Sequence, residues 1–156
     1  MAAEGVIMAS ESIAMGDLVY EADGRFTDVV DYGVAYEDWV SGKPLPAAGQ
    51  RFDLTWEGTV TGLLEGTLRG VEYSCARADG RAAVHFHGCL TTKDGARISV
   101  LATGTSIDDE QGLTRLFQHI ELHTNFEAYQ WVNHLPVRGE ATLDPSAVGK
   151  IRATVA

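Results

Sequence analysis

The chain has 156 residues, 45% of them hydrophobic, which supplies one domain with a real core and excludes a disordered chain. Twelve lysines and arginines stand against 22 acidic residues, giving a formal net charge of −10. That balance repels phosphate backbones and anionic lipid, so the expectation is no nucleic acid and no membrane among the partners.

Residues 1–16 carry Glu4 and Glu11 and no basic side chain. They lack the layout of a secretion signal and read as a flexible tail, leaving 17–156 as a single domain in a cytoplasmic protein. Asp17–Ala22 and Arg25–Tyr36 then read as a first hairpin around Asp23-Gly24, the second arm alternating Phe26, Val30, Tyr32, Val34 and Tyr36. Ser41–Gly49 is a loop broken by Pro44 and Pro46, and Glu37–Val40 offers one short helical turn.

Four further strands follow: Gln50–Thr61, Leu64–Arg77, Arg81–Thr92 and Ala96–Thr105. Asp79-Gly80 and Asp94-Gly95 separate the later ones, and glycine's freedom to take positive φ suits such pairs to tight turns. Asp108–Gly112 is an acidic loop, Thr114–Phe126 alternates again, and Glu127–Asn133 offers a second short turn. Pro136–Leu143 and Val148–Val155 complete eight or nine strands.

Gaps this short leave no room for helical crossovers, so the sheet is antiparallel. Closure removes exposed edges, which favours an all-β, single antiparallel β-barrel over a sandwich. Gly58, Gly62, Gly66 and Gly70 recur every fourth residue on one face, where a strand pair can coil sharply. Cys75 and Cys89 lie in predicted strands beside small or apolar residues and read as buried, reduced thiols rather than a cross-strand disulfide.

Two strands gather the histidines. Ala83, His85, His87 and Cys89 alternate with Val84, Phe86 and Leu90; His119, Glu121, His123 and Asn125 alternate with Ile120, Leu122 and Thr124. Such faces point either to water or into the barrel. The small neighbours Ala83 and Cys89 favour an enclosed space, with His85, His87, Glu121 and His123 as catalytic proton carriers. Trp56, Tyr73, Asn125, Tyr129 and Trp131 are the candidate walls of a substrate pocket.

His85-x-His87 has the spacing of a metal-binding pair, but the glutamate that follows such a pair in cupins is missing, so no metal is assigned. No glycine-rich phosphate loop, nucleophile elbow or Cys-x-x-Cys occurs, so no cofactor is implied. The reading is a small-molecule barrel enzyme, a cofactor-independent acid–base isomerase, cyclase or lyase for an apolar or aromatic substrate. The alternative is a lipocalin-like ligand-binding protein without catalysis. Homo-oligomerisation stays open.

From about Arg51 onward, roughly two thirds of the chain resembles the DUF3237 (UPF0311) family. The matching elements are the spaced glycines 58, 62, 66 and 70, then Thr92-Lys93-Asp94-Gly95-Ala96-Arg97-Ile98. Phe126, Tyr129-Gln130-Trp131-Val132-Asn133 and Gly139 follow, and Tyr-x-Trp-x-Asn is the most specific part. The resemblance implies a small barrel of the calycin or allene-oxide-cyclase kind and carries no catalytic residue across. The first fifty residues and the His85–His87 strand depart from the family pattern.

Overall fold

A computed structural model describes residues 12–144 and 148–156. Eight strands pair in sequence order and close on themselves: β1 Leu18–Asp31, β2 Gln50–Gly62, β3 Gly66–Ala76, β4 Arg81–Thr92, β5 Arg97–Asp108, β6 Thr114–His123, β7 Val137–Leu143 and β8 Val148–Val155. Every pairing is antiparallel, including the β1–β8 seam, where Ala22 faces Ile151. A five-residue helix, α1 (Tyr36–Val40), lies between β1 and β2, and a 3-10 helix spans Glu127–His134. Residues 1–11 of the expected tail lie outside the described residues; Ile13 packs on the core and the Gly16 N–H donates to the Val155 carbonyl.

Hairpin geometry decides which side chains enter the barrel. The β3–β4, β4–β5 and β5–β6 connections each close with a backbone hydrogen bond, Arg77 to Arg81, Thr92 to Ala96 and Asp109 to Leu113. In each, the third loop residue is a glycine at positive φ: Gly80 at 85°, Gly95 at 89° and Gly112 at 77°. Three-residue loops of this kind pair even positions with even positions. From Gln50 to Thr124, inward residues are accordingly even-numbered: Phe52, Leu54, Trp56, Leu68, Val84, Phe86, Leu90, Ile98, Val100, Leu116, Ile120 and Leu122 are buried. Most inward side chains are apolar, Glu72 being the one buried acid among the described residues, whereas a membrane-spanning barrel turns its apolar band outward. No helix of the described residues is long and apolar enough to cross a membrane.

The expected first hairpin is not formed. β1 runs straight through Asp23-Gly24, and Gly24 sits opposite Gly58. A Cβ on either glycine would strike the Trp56 ring, so these glycines serve close approach rather than a turn. Gly70 and Gly88 likewise make room for the Phe86 ring. Gly62 and Gly66 instead bracket the β2–β3 hairpin at φ 129° and 155°. Tyr36, expected at the end of a strand, begins α1.

The cysteines also differ from expectation: Cys75 is exposed and Cys89 half-buried, both free and both on the outer, odd-numbered face. Cys75 pairs across with Ala83 and Cys89 with Arg69, so six residues, about 20 Å of strand, keep the thiols apart.

Candidate functional site

The barrel's two ends are finished differently. At the end where β2 meets β3, Leu64 folds inward beside Val19, Val60, Leu90, Ile98, Val132, Val137 and Val155. The 3-10 helix closes this end through polar locks. Asn133 accepts from the Thr124 N–H at 2.8 Å and donates to the Thr124 carbonyl at 2.9 Å. The Tyr129 hydroxyl donates to Asp94 at 2.8 Å, and Thr92 Oγ1 donates to the same carboxylate oxygen at 2.5 Å. These donors hold the Asp94 carboxyl below the usual carboxylate range, the Thr92 bond contributing most. The two motifs behind the family resemblance therefore meet here, as parts of a plug.

The other end is hollow. A cavity of about 260 Å³ opens there, walled by Phe26, Leu54, Val84, Leu116 and Leu143. The inward positions Ser74 and Ser106 are too small to fill the space that Leu or Ile fills in the closed half. α1 covers the mouth: Trp39 stacks on Phe52 with centroids 5.1 Å apart and planes 9° apart, and Tyr36 stands edge-on to Phe52 at 5.5 Å. Asp108, Thr114 and Asp144 form the opposite rim.

Glu72 stands between this cavity and a deeper void of about 20 Å³, the volume of a single water, beside Trp56, Phe86 and Gln118. It occupies an inward position of β3, between Leu54 and Phe86, and is only 7% exposed. Burial pushes its carboxyl up to about 7, because a charge in an apolar wall is poorly solvated. Ser74 Oγ and Trp56 Nε1 are buried without a hydrogen-bond partner among the described residues. Tyr36 is pushed up to about 12, first by burial and then by the charges of Glu72 and Asp108, so its hydroxyl keeps its proton. The cavity thus offers a proton carrier at neutral pH, a free hydroxyl and a phenolic donor, inside apolar walls.

The residues singled out from the sequence fall elsewhere. His85, His87, Glu121 and His123 take odd positions and lie exposed on the outer surface, a correction to the expected enclosed cluster. Val84, Phe86 and Leu90, and Leu116, Ile120 and Leu122, claim the inside of those strands instead. His85 and His87 do meet, Nε2 to Nε2 at 2.7 Å, with Tyr73 edge-on to His87 at 6.1 Å. His119 lies 3.6 Å from Glu121. β5 separates the two groups by two strand spacings, about 10 Å. Among the described residues, no cluster of three His, Cys, Asp or Glu side chains is placed to hold a metal.

Of the expected pocket walls, Trp56 alone reaches the barrel interior near the cavity. Tyr73 and Asn125 are exposed on the outside, and Tyr129 and Trp131 pack at the plugged end. Sequence reasoning missed Glu72 and Ser74, although their parity marks them: two polar residues on the face that carries Leu68 and Ala76.

No family model matches the chain, and no curated protein matches it in sequence. Solved structures do. A beta-barrel like protein from Acinetobacter baumannii superposes with a TM-score of 0.68 at 18% identity, over 90% of this chain and 94% of that one. A conserved protein of unknown function from Rhodopseudomonas palustris gives 0.70 at 17%, over 88% and 93%. An enzyme from Penicillium herquei gives 0.60 at 19%, over 90% and 96%. Likeness at these identities establishes the barrel fold.

Proposed function

We propose that the hollow end binds a small, largely apolar or aromatic molecule, and that Glu72 exchanges a proton with it. The observation that carries this is a buried carboxyl, pushed up to about 7 by burial, without an ion pair among the described residues and lining an apolar cavity. A carboxylate stripped of water and matched to neutral pH is a competent general base, and its acid form returns the proton. Isomerisation, cyclisation and elimination ask for no more than that. The acid–base role expected of the outer histidines passes to Glu72, with Tyr36 and Ser74 as hydrogen-bond donors to the substrate. That one structural neighbour is an enzyme accords with this reading. We also propose that the chain belongs with the DUF3237 family, a reading supported by the Tyr129-x-Trp131-x-Asn133 segment and its hydrogen bond to Asp94.

A ligand carrier without turnover would use the same cavity, and the aromatic cap of Tyr36 and Trp39 over Phe52 suits it. A generic substrate separates the two. In nitrobenzisoxazole a base removes the ring C–H proton, the N–O bond breaks, and a cyanophenolate forms. The expected outcome is elimination whose rate rises with pH through about 7 and falls at least a hundredfold in Glu72→Gln. A rate that Glu72→Gln leaves unchanged overturns the assignment; binding without elimination leaves the carrier.

A further inference from the structure

The charges around the cavity share one sign. Its lining carries Glu72 in the wall and Asp108 and Asp144 at the rim, and no lysine, arginine or histidine. Bases do occur near the mouth in sequence, none of them in the lining, and three are engaged outside it. Lys43 Nζ lies 2.6 Å from Asp38, Arg77 3.0 Å from Asp79, and Arg115 3.3 Å from Asp109. The Asp108 carboxylate is held in place by the Thr114 hydroxyl at 2.7 Å. The Ser74 hydroxyl also faces the cavity, buried without a hydrogen-bond partner among the described residues, beside the Glu72 carboxyl, which is only 7% exposed. Polar groups left unmatched in an apolar wall cost free energy until something matches them, so they define what a ligand must bring.

An anionic ligand brings the wrong thing twice. It meets no cation to replace the water it gives up, and it approaches like charges where the low-dielectric wall screens them least. A molecule that donates hydrogen bonds suits the Glu72 carboxyl instead, and a cationic one is also drawn to the aromatic faces of Trp39 and Tyr36. We propose that the cavity selects by charge: it takes an uncharged or cationic, hydrogen-bond-donating aromatic molecule and rejects carboxylates, phosphates and thioester carriers built on phosphate. This rests on the reading that the hollow end is the binding site and deepens it by naming the ligand class. A cavity of about 260 Å³, just below the usual range of small-molecule pockets, further restricts the ligand to a compact one.

Three probes of one shape test the proposal: naphthylmethanol, naphthylmethylammonium and naphthoate, titrated calorimetrically into the intact protein at neutral pH. The alcohol and the ammonium should bind at least tenfold more tightly than naphthoate. The Glu72→Gln, Asp108→Asn double variant should shrink that gap to threefold or less. Asp108→Lys, a change confined to the exposed rim, should narrow it in a protein whose core is untouched. Naphthoate binding as tightly as the alcohol overturns the charge rule while leaving proton transfer by Glu72 standing. A gap that neither variant narrows also overturns the rule. Failure of all three probes to bind overturns the rule and the binding site together.

Discussion

Plugged and hollow, the two ends of this barrel grow from the same eight strands, and a few inward positions make the difference. At the plugged end the inward residues are Val60, Leu64, Leu90, Ile98 and Val137, all at most 1% exposed. At the hollow end, the equivalent layer holds Ser74, Ser106 and Glu72, with Gln50 and Gln118 nearby. Leucine and isoleucine close the space by dispersion and burial, each contributing about 1.5–3 kcal/mol. Serine cannot, and glutamate brings a charge that needs a partner. The contrast separates two tasks: one end stabilises the fold, and the other gives up packing for a site.

Truncations of similar size should expose that division most strongly. Leu90→Ala leaves a sealed void in the plugged half and should cost about 2–5 kcal/mol in a denaturant titration. Leu54→Ala widens a hollow that already exists, so about 1–2 kcal/mol is expected there. Equal costs at the two positions would erase the distinction between the ends.

The next effect in size is a pH dependence. The Glu72 carboxyl is raised to about 7 in the folded chain, from 4.5 when unperturbed. Between those values the folded protein holds a proton that the unfolded chain has released. Stability from this group is therefore complete below about 4.5 and is lost as pH rises through about 7. A loss of about 1–3 kcal/mol is expected by pH 8, and Glu72→Gln, permanently uncharged, should not show it. Subtracting the two unfolding profiles isolates Glu72 from the five histidines. A flat difference would mean that Glu72 is solvated and the hollow end is simply wet.

Smaller again is the Ser74 hydroxyl. Buried without a partner, it costs stability where a core residue supplies it. Ser74→Ala should raise stability by up to about 1 kcal/mol while weakening any ligand that bonds there. Destabilisation instead would show that the hydroxyl already has a partner in solution.

What the sequence discloses follows the same division. The closed antiparallel barrel is legible because Asp79-Gly80, Asp94-Gly95 and the alternation around them are local signals. Asp23-Gly24 misleads because the same dipeptide serves mid-strand, where Gly24 yields space to the Trp56 ring from another strand; that need is non-local. Parity was readable in principle. Val84, Phe86 and Leu90 outweigh Ala83 and Cys89 as core residues, so the imidazoles between them had to face water. Glu72 carries a weaker signal than the paired histidines, a single acid among apolar neighbours of the right parity. The register that turns that parity into an inward direction depends on three successive hairpin loops.

The outer imidazoles give the smallest expected effect, and their test protects the comparison from the other side. His85 and His87 hydrogen-bond to each other at 2.7 Å, one nitrogen donating and the other accepting, with both rings exposed. Water replaces such a bond at little cost, and neither ring supports the core. The double change His85→Ala, His87→Ala should therefore move unfolding by no more than about 0.5 kcal/mol. Elimination of nitrobenzisoxazole should stay within twofold of the unaltered protein, since Phe86 and the sheet itself stand between these rings and the cavity. A large loss of elimination with stability intact would move the chemistry to the outer face of β4. The hollow end would then be an incompletely filled barrel and nothing more.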